Sequence, residues 1–153
     1  MPVYYIDGQS QGNEQNSLPR KAKIAIAYAE SDTVDHGKFR IYWQPIGDRT
    51  NNEAEYYALL KALELIAEKA TGKSLGNIGE ALVRSDSKLV VNQVNGEWRV
   101  EDERVMELSS QAREMAEWFC MVVGVPFLYK KMELDPLEEE IRKLTKATAS
   151  LLA

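Results

Sequence analysis

The chain has 153 residues, 44% hydrophobic and 28% charged, the length and make-up of one globular domain around one core. No apolar run approaches the roughly 18 residues that cross a membrane, and Met1-Pro2-Val3-Tyr4-Tyr5 lacks the basic start and apolar stretch of a signal peptide, so a cytoplasmic protein without membrane attachment is expected. One cysteine, Cys120, and one histidine, His36, exclude disulfide scaffolds, zinc fingers and haem attachment, and a net charge of -5 means that affinity for nucleic acid has to come from local placement of residues.

Val3-Tyr4-Tyr5-Ile6 is a β-branched and aromatic run stopped by Asp7-Gly8, which predicts a strand closing on a carboxylate. Residues 8–20 are polar or turn-forming and predict a loop. Ile24, Ile26 and Tyr28 fall at period two, as do Phe39, Ile41 and Trp43 after the turn-like Asp35-His36-Gly37, so a hairpin of strands two and three follows. Thr50-Asn51-Asn52 supplies N-cap side chains for a helix over 53–67 with apolar residues at 56, 59, 60, 63 and 66. Residues 81–86 read as a buried strand that again closes on a carboxylate, Asp86, and Ser87 caps a helix carrying Leu89, Val90 and Val94 that stops at Asn95-Gly96. A longer helix from about 102 to 122 turns Val105, Leu108, Ala112, Met115, Ala116 and Phe119 to one side. Val125-Pro126-Phe127-Leu128-Tyr129 is the last strand, and Asp135-Pro136 opens a final helix with Leu137, Ile141, Leu144 and Leu151. The order predicts an α/β fold: a mixed five-stranded sheet, an antiparallel meander followed by parallel additions, flanked by helices.

Asp7, Glu55 and Asp86 are the chemical signal. In such a sheet, residues at the carboxyl ends of neighbouring strands converge in one crevice, where ligands bind. Three packed carboxylates repel one another unless cations join them, and an all-oxygen ligand set favours Mg²⁺ or Mn²⁺ over zinc or copper. Two such ions about 4 Å apart suit hydrolysis of a phosphodiester.

Three local sequences carry a resemblance. Asp7-Gly8 with Gly12-Asn13, the run Thr50-Asn51-Asn52-Glu53-Ala54-Glu55-Tyr56, and Ser85-Asp86-Ser87-Lys88-Leu89-Val90-Val91-Asn92-Gln93-Val94-Asn95-Gly96 resemble, in order and spacing, the leading motifs of type 1 ribonuclease H. The resemblance implies a ribonuclease H-like fold and an endonuclease that cuts the RNA strand of an RNA/DNA hybrid, leaving 5′-phosphate and 3′-hydroxyl ends. Two Mg²⁺ ions, or Mn²⁺ in their place, would be held by Asp7, Glu55, Asp86 and a fourth acid. It further implies substrate contacts by Gly8, Asn13, Thr50, Asn51, Asn52, Ser87 and Trp98, the asparagines at the 2′-hydroxyls of the minor groove and Thr50 at a DNA phosphate. A monomer is expected, and Asp7 lies so near the N-terminus that no hybrid-binding domain is expected before it.

The sequence departs from the family in three places. Instead of an Asn-x-x-Ala-Asp pattern, the final helix opens Leu134-Asp135-Pro136-Leu137-Glu138-Glu139-Glu140, which puts Glu139 in the fourth position, with Glu138, Glu140 and Asp135 as alternatives. The segment Lys130-Lys131-Met132-Glu133 lacks the histidine that many bacterial members carry, and Glu14-Gln15-Asn16-Ser17 replaces a glycine-rich loop. A module that binds hybrid without cutting it, and a nuclease of the same fold acting on branched DNA, are the competing readings.

Some of these residues have simpler roles open to them. Glu53 fits a capping box better than Glu55, and the glutamates at 138–140 suit a helix N-terminus. Asn92, Gln93 and Asn95 with Trp98 and Arg99 form either a polar, aromatic edge for nucleic acid or a helix end followed by a core tryptophan. Lys21, Lys23, Lys38 and Arg40 read as outward-facing strand residues, and Cys120 as a buried thiol.

Overall fold

A computed structural model describes residues 3–11, 19–28, 40–71, 81–118, 127–131 and 136–150, with the side chains of 69–71, 81, 118, 127–131, 136–140 and 142 outside that description. Strands β1 (Val3–Gln11), β2 (Lys21–Tyr28) and β3 (Arg40–Gly47) precede helix α1 (Asn51–Thr71). Strand β4 (Ala81–Ser85), helices α2 (Lys88–Val94) and α3 (Glu103–Trp118), strand β5 (Phe127–Lys131) and helix α4 (Pro136–Ser150) complete the order. The sheet runs β3-β2-β1-β4-β5, with β1–β2 and β2–β3 antiparallel and β1–β4 and β4–β5 parallel. The expected five-stranded mixed sheet is therefore present.

β1 is the central strand, and alternation sends its side chains to both faces. Tyr4 and Ile6 join Ile24 and Ile26 of β2 under Tyr56, Leu59, Leu63 and Ile66 of α1 and Val105, Leu108 and Ala112 of α3 in the main core. Tyr5 faces the other way, packing with Ala27 and with Ile141 of α4. Burial on both faces explains why Val3–Ile6 reads as a continuous apolar run.

The first strand does not end at Asp7. It continues to Gln11, paired with β2 as far as Gln11↔Lys21, while β4 stops alongside Ile6 at Ser85. Polar Gln9, Ser10 and Gln11 look like loop residues because β4 no longer flanks that half of the strand. At Gly8 the reason for glycine is steric: a Cβ there would sit 2.3 Å from the Ala54 carbonyl carbon and 2.5 Å from the Glu55 nitrogen. The start of α1 thus lies directly against β1.

α1 begins where its cap lies. The Thr50 hydroxyl accepts from the Glu53 amide (3.1 Å) and the Glu53 carboxylate accepts from the Thr50 amide (3.0 Å), a reciprocal capping box. α2 is capped by Ser87, whose Oγ accepts from the Val90 amide (3.2 Å), and it ends before Gly96, which adopts φ +81.

The outward-facing reading of Lys23 needs correction, and two large apolar residues of the expected elements lie at the surface. Lys23 is buried rather than outward: its ammonium donates to the Thr148 carbonyl (3.0 Å) in the last turn of α4 and lies 5.1 Å from the centre of the Trp43 ring. Trp43 is half exposed because β3 is the edge strand and α4 packs chiefly on β1 and β2. On α4, Leu144 is exposed and Thr145 is buried in its stead, the Thr145 hydroxyl donating to the Ile141 carbonyl (2.7 Å). Pro45 fits the same edge position, where a missing N–H breaks no ladder, next to an irregularity that skips Ile46. The turn at 35–37, Phe39, Phe119, Cys120, Val125, Pro126 and Asp135 lie outside the described residues.

Candidate functional site

Asp7 lies on the α4 face of β1, two residues after Tyr5, and Asp86 follows the last residue of β4, whose neighbour across the ladder is Ile6. The two acids are thus brought side by side by the end of the parallel ladder. Glu55 comes from the second turn of α1, which the absent Cβ of Gly8 admits against the strand. One carboxylate oxygen from each of the three lies within 4.8 Å of the others.

Asp7 and Glu55 are buried and Asp86 is partly exposed, so the cluster opens to solvent on the Asp86 side. Asp7 Oδ2 accepts from Gln9 Nε2 (2.8 Å), but Asp7 Oδ1 and Glu55 Oε2 are buried without a hydrogen-bond donor. Burial, with some repulsion from Asp86, pushes the Asp7 carboxyl up to about 6, although the Gln9 hydrogen bond opposes the shift. Burial first, and then Asp7 and Asp86, push Glu55 well above the ordinary range. Buried carboxylate oxygens that lack donors and repel one another are what a hard cation would satisfy, so the residues fit divalent Mg²⁺ or Mn²⁺.

The other expected residues divide. Asn51 is exposed and commits its carbonyl oxygen to the Ser10 amide (2.7 Å), which turns its NH₂ into the group left to donate to a ligand. Asn52 is next to it, half buried, and Thr50 spends its hydroxyl on the capping box. Gly8 serves the close approach of α1, and Ser87 serves the α2 cap. Trp98 is 43% exposed with the Lys88 ammonium 5.6 Å from its ring centre, which removes the core-tryptophan reading. Gln93, by contrast, leaves the surface edge: it is buried, accepting from the Tyr56 hydroxyl (2.6 Å) and donating to the Arg99 carbonyl (3.3 Å). Asn13 lies outside the described residues, as do the side chains of Glu138, Glu139 and Glu140.

Two residues at the cluster escaped the sequence reading. Gln9 shares the Asp7 face of β1 at period two, a signal obscured by the polar residues on either side of it. Lys146, whose ammonium lies 4.0 Å from Asp86 Oδ2, comes from 60 residues further along, and nothing local to it in the sequence points to the acids.

Comparison with known proteins gives a consistent picture. The family described as reverse transcriptase-like matches residues 20–126. A bifunctional protein of Mycobacterium tuberculosis is 41% identical over 117 residues, covering 76% of this chain and 28% of that protein. A ribonuclease HI of Halobacterium salinarum is 31% identical over 115 residues, covering 75% of this chain and 50% of that protein. The chain therefore spans less than two thirds of the length of either relative. Among solved structures, an N-terminal RNase H domain from Mycobacterium tuberculosis superposes with a TM-score of 0.69 at 29% identity, covering 97% of this chain and 91% of that one.

Proposed function

The chain belongs to the reverse transcriptase-like family, among the type 1 ribonucleases H, and from that premise we propose that it is an endonuclease hydrolysing the RNA strand of RNA/DNA hybrids. The observation that carries the reading is the cluster of Asp7, Glu55 and Asp86, two of them buried and each of those two with an oxygen lacking a donor. When bound there, divalent Mg²⁺ or Mn²⁺ supplies activation of the attacking water and stabilisation of the departing 3′-oxygen, giving 5′-phosphate and 3′-hydroxyl ends.

The chain's own residues do the rest. Gln9 Nε2 donates to Asp7 Oδ2, which leaves the buried Oδ1 as the oxygen available to a cation. Asn51 and Asn52 open the helix that also delivers Glu55, and their amide groups would be the donors to a 2′-hydroxyl that distinguishes RNA from DNA. Trp98 with Lys88 offers a ring and a charge to the sugar-phosphate backbone. These side chains concentrate contacts that a chain of net charge -5 does not provide by bulk attraction.

The test is cleavage of end-labelled RNA/DNA hybrid, single-stranded RNA, duplex RNA, duplex DNA and a branched DNA junction, each with Mg²⁺, Mn²⁺ or EDTA. Cleavage confined to the RNA of the hybrid and abolished by EDTA is expected. Binding without cleavage in either metal would establish a hybrid-binding module instead, and cutting of the junction alone a DNA nuclease.

A further inference from the structure

On the hybrid-cleaving reading above, Glu55 of α1 and Trp98 beyond α2 meet the same substrate, and one buried side chain ties together the elements that carry them. α2 packs Val90, Val91 and Val94 into the protein, and Gln93 is buried with them, 4% exposed. Its Oε1 accepts from the hydroxyl of Tyr56 (2.6 Å), the residue after Glu55, and its Nε2 donates to the carbonyl of Arg99 (3.3 Å), the residue after Trp98. The Tyr56 hydroxyl is also hydrogen-bonded to Ser109 of α3. An apolar side chain of similar size would fill the same place in α2, so the buried amide contributes direction more than packing: each bond needs its partner at a set distance, and an amide left unpaired there is costly. The backbone between α2 and Arg99 is held as closely. The Glu97 and Trp98 amides both donate to the Asn92 carbonyl (2.8 and 3.0 Å), and the chain reverses at Gly96, whose φ of +81 suits glycine. Trp98 is thereby turned back to the start of α2, where the Lys88 ammonium lies 5.6 Å from its ring centre, two positions after Asp86.

We propose that Gln93 is a positioning residue: by joining Tyr56 to the Arg99 carbonyl it fixes the exposed Trp98 ring at a set separation from Glu55, and so sets the spacing between a backbone contact and the cleavage position on the hybrid. Gln93 is buried and acts only through Trp98. Without it α2 would keep its Ser87 cap and its valines, while the Arg99 carbonyl would turn to water and Trp98 would move with it. Both ends of the Gln93 amide are spent on Tyr56 and Arg99 rather than on the acids, so the effect falls on substrate binding and not on the chemical step.

The test replaces Gln93 by Leu and reads Trp98 directly. Labelled with 5-fluorotryptophan, the chain gives three ¹⁹F resonances, one per tryptophan, which Trp98→Phe and Trp43→Phe assign. In Gln93→Leu the Trp98 resonance should shift or broaden while that of Trp43 stays in place. KM for the hybrid should rise about three- to tenfold, the size of one net hydrogen bond, with kcat held within about twofold. Trp98→Ala alone should raise KM, and adding Gln93→Leu to it should raise KM no further. Tyr56→Phe keeps the ring and removes only the donor to Gln93, so it should move the Trp98 resonance in the same sense, and it decides the matter if Gln93→Leu does not fold. An unmoved Trp98 resonance, KM effects of Gln93→Leu and Trp98→Ala that add, or a fall in kcat with KM unchanged would each overturn the assignment. If the unsubstituted chain cuts no hybrid, the cleavage reading falls by itself, and the ¹⁹F spectra alone decide whether Gln93 places Trp98.

Discussion

Asp7 and Glu55 are held where their own charge is disfavoured, an arrangement that a shared cation would relieve. Replacing Asp86 by Asn removes one ligand charge without changing shape. Hybrid cleavage should fall by roughly three orders of magnitude or more while the melting temperature holds, and a kinetic assay beside a thermal melt checks both. Asn51 is expected to act on binding instead: Asn51→Ala should raise KM for the hybrid about two- to tenfold with little change in kcat, the size of one net hydrogen bond. Steady-state kinetics separate the two effects. Gly8 contributes by what it lacks. Because the atoms a Cβ would meet are the backbone of Ala54 and Glu55, nothing can swing aside, and Gly8→Ala should destabilise the fold by about 3 kcal/mol or more in urea unfolding.

Among the elements, α1 does two tasks at once. Its buried face, from Ala54 through Ile66, forms one wall of the core, and its first two turns carry the asparagines and Glu55. The capping box therefore fixes the register of the site as well as the start of the helix. Thr50→Ala removes the acceptor for the Glu53 amide and should cost about 1 kcal/mol, a drop of roughly 2–4 °C in melting temperature for a chain of this size. A calorimetric scan would show it. α4 is secured differently: Lys23 and Gln11 reach from the strands to carbonyls in its last turn, satisfying groups that the helix itself leaves open.

At the scale of the molecule, stability is linked to pH through the cluster. Asp7 has a folded-state value of about 6 against 3.8 when unperturbed, so between these the folded chain binds more protons than the unfolded one. Its contribution is full below about 4 and is lost as pH rises through about 6; Glu55 acts in the same direction. In EDTA, the contribution of these acids should thus lower the melting temperature across that window. Added Mg²⁺ should restore stability most above pH 6, where the carboxylates are ionised and protons no longer compete. Melts at pH 4.5, 6 and 8 with EDTA or Mg²⁺ check the pattern; a metal effect larger at pH 4.5 than at pH 8 would contradict it.

Much of the fold was legible because hydrophobic period and capping chemistry are local. Ile24, Ile26 and Tyr28 at period two, the apolar stripe of α1, the Thr50–Glu53 pair and the Asn95-Gly96 stop each report their own element to neighbours a few residues away. The identity of Asp7, Glu55 and Asp86 as one cluster was legible too, since chain order and strand ends are enough to bring them together. What depends on partners distant in the chain was not. Whether β1 ended at Asp7 was decided by β2 pairing, whether Lys23 faced solvent by where α4 lay, and whether Trp98 and Gln93 were surface or core by Tyr56 and Lys88. The residue α4 sets beside the acids is the clearest case: only the direction of that helix along β1 places Lys146 there, because side chains 60 residues apart meet through packing, which no local spacing encodes.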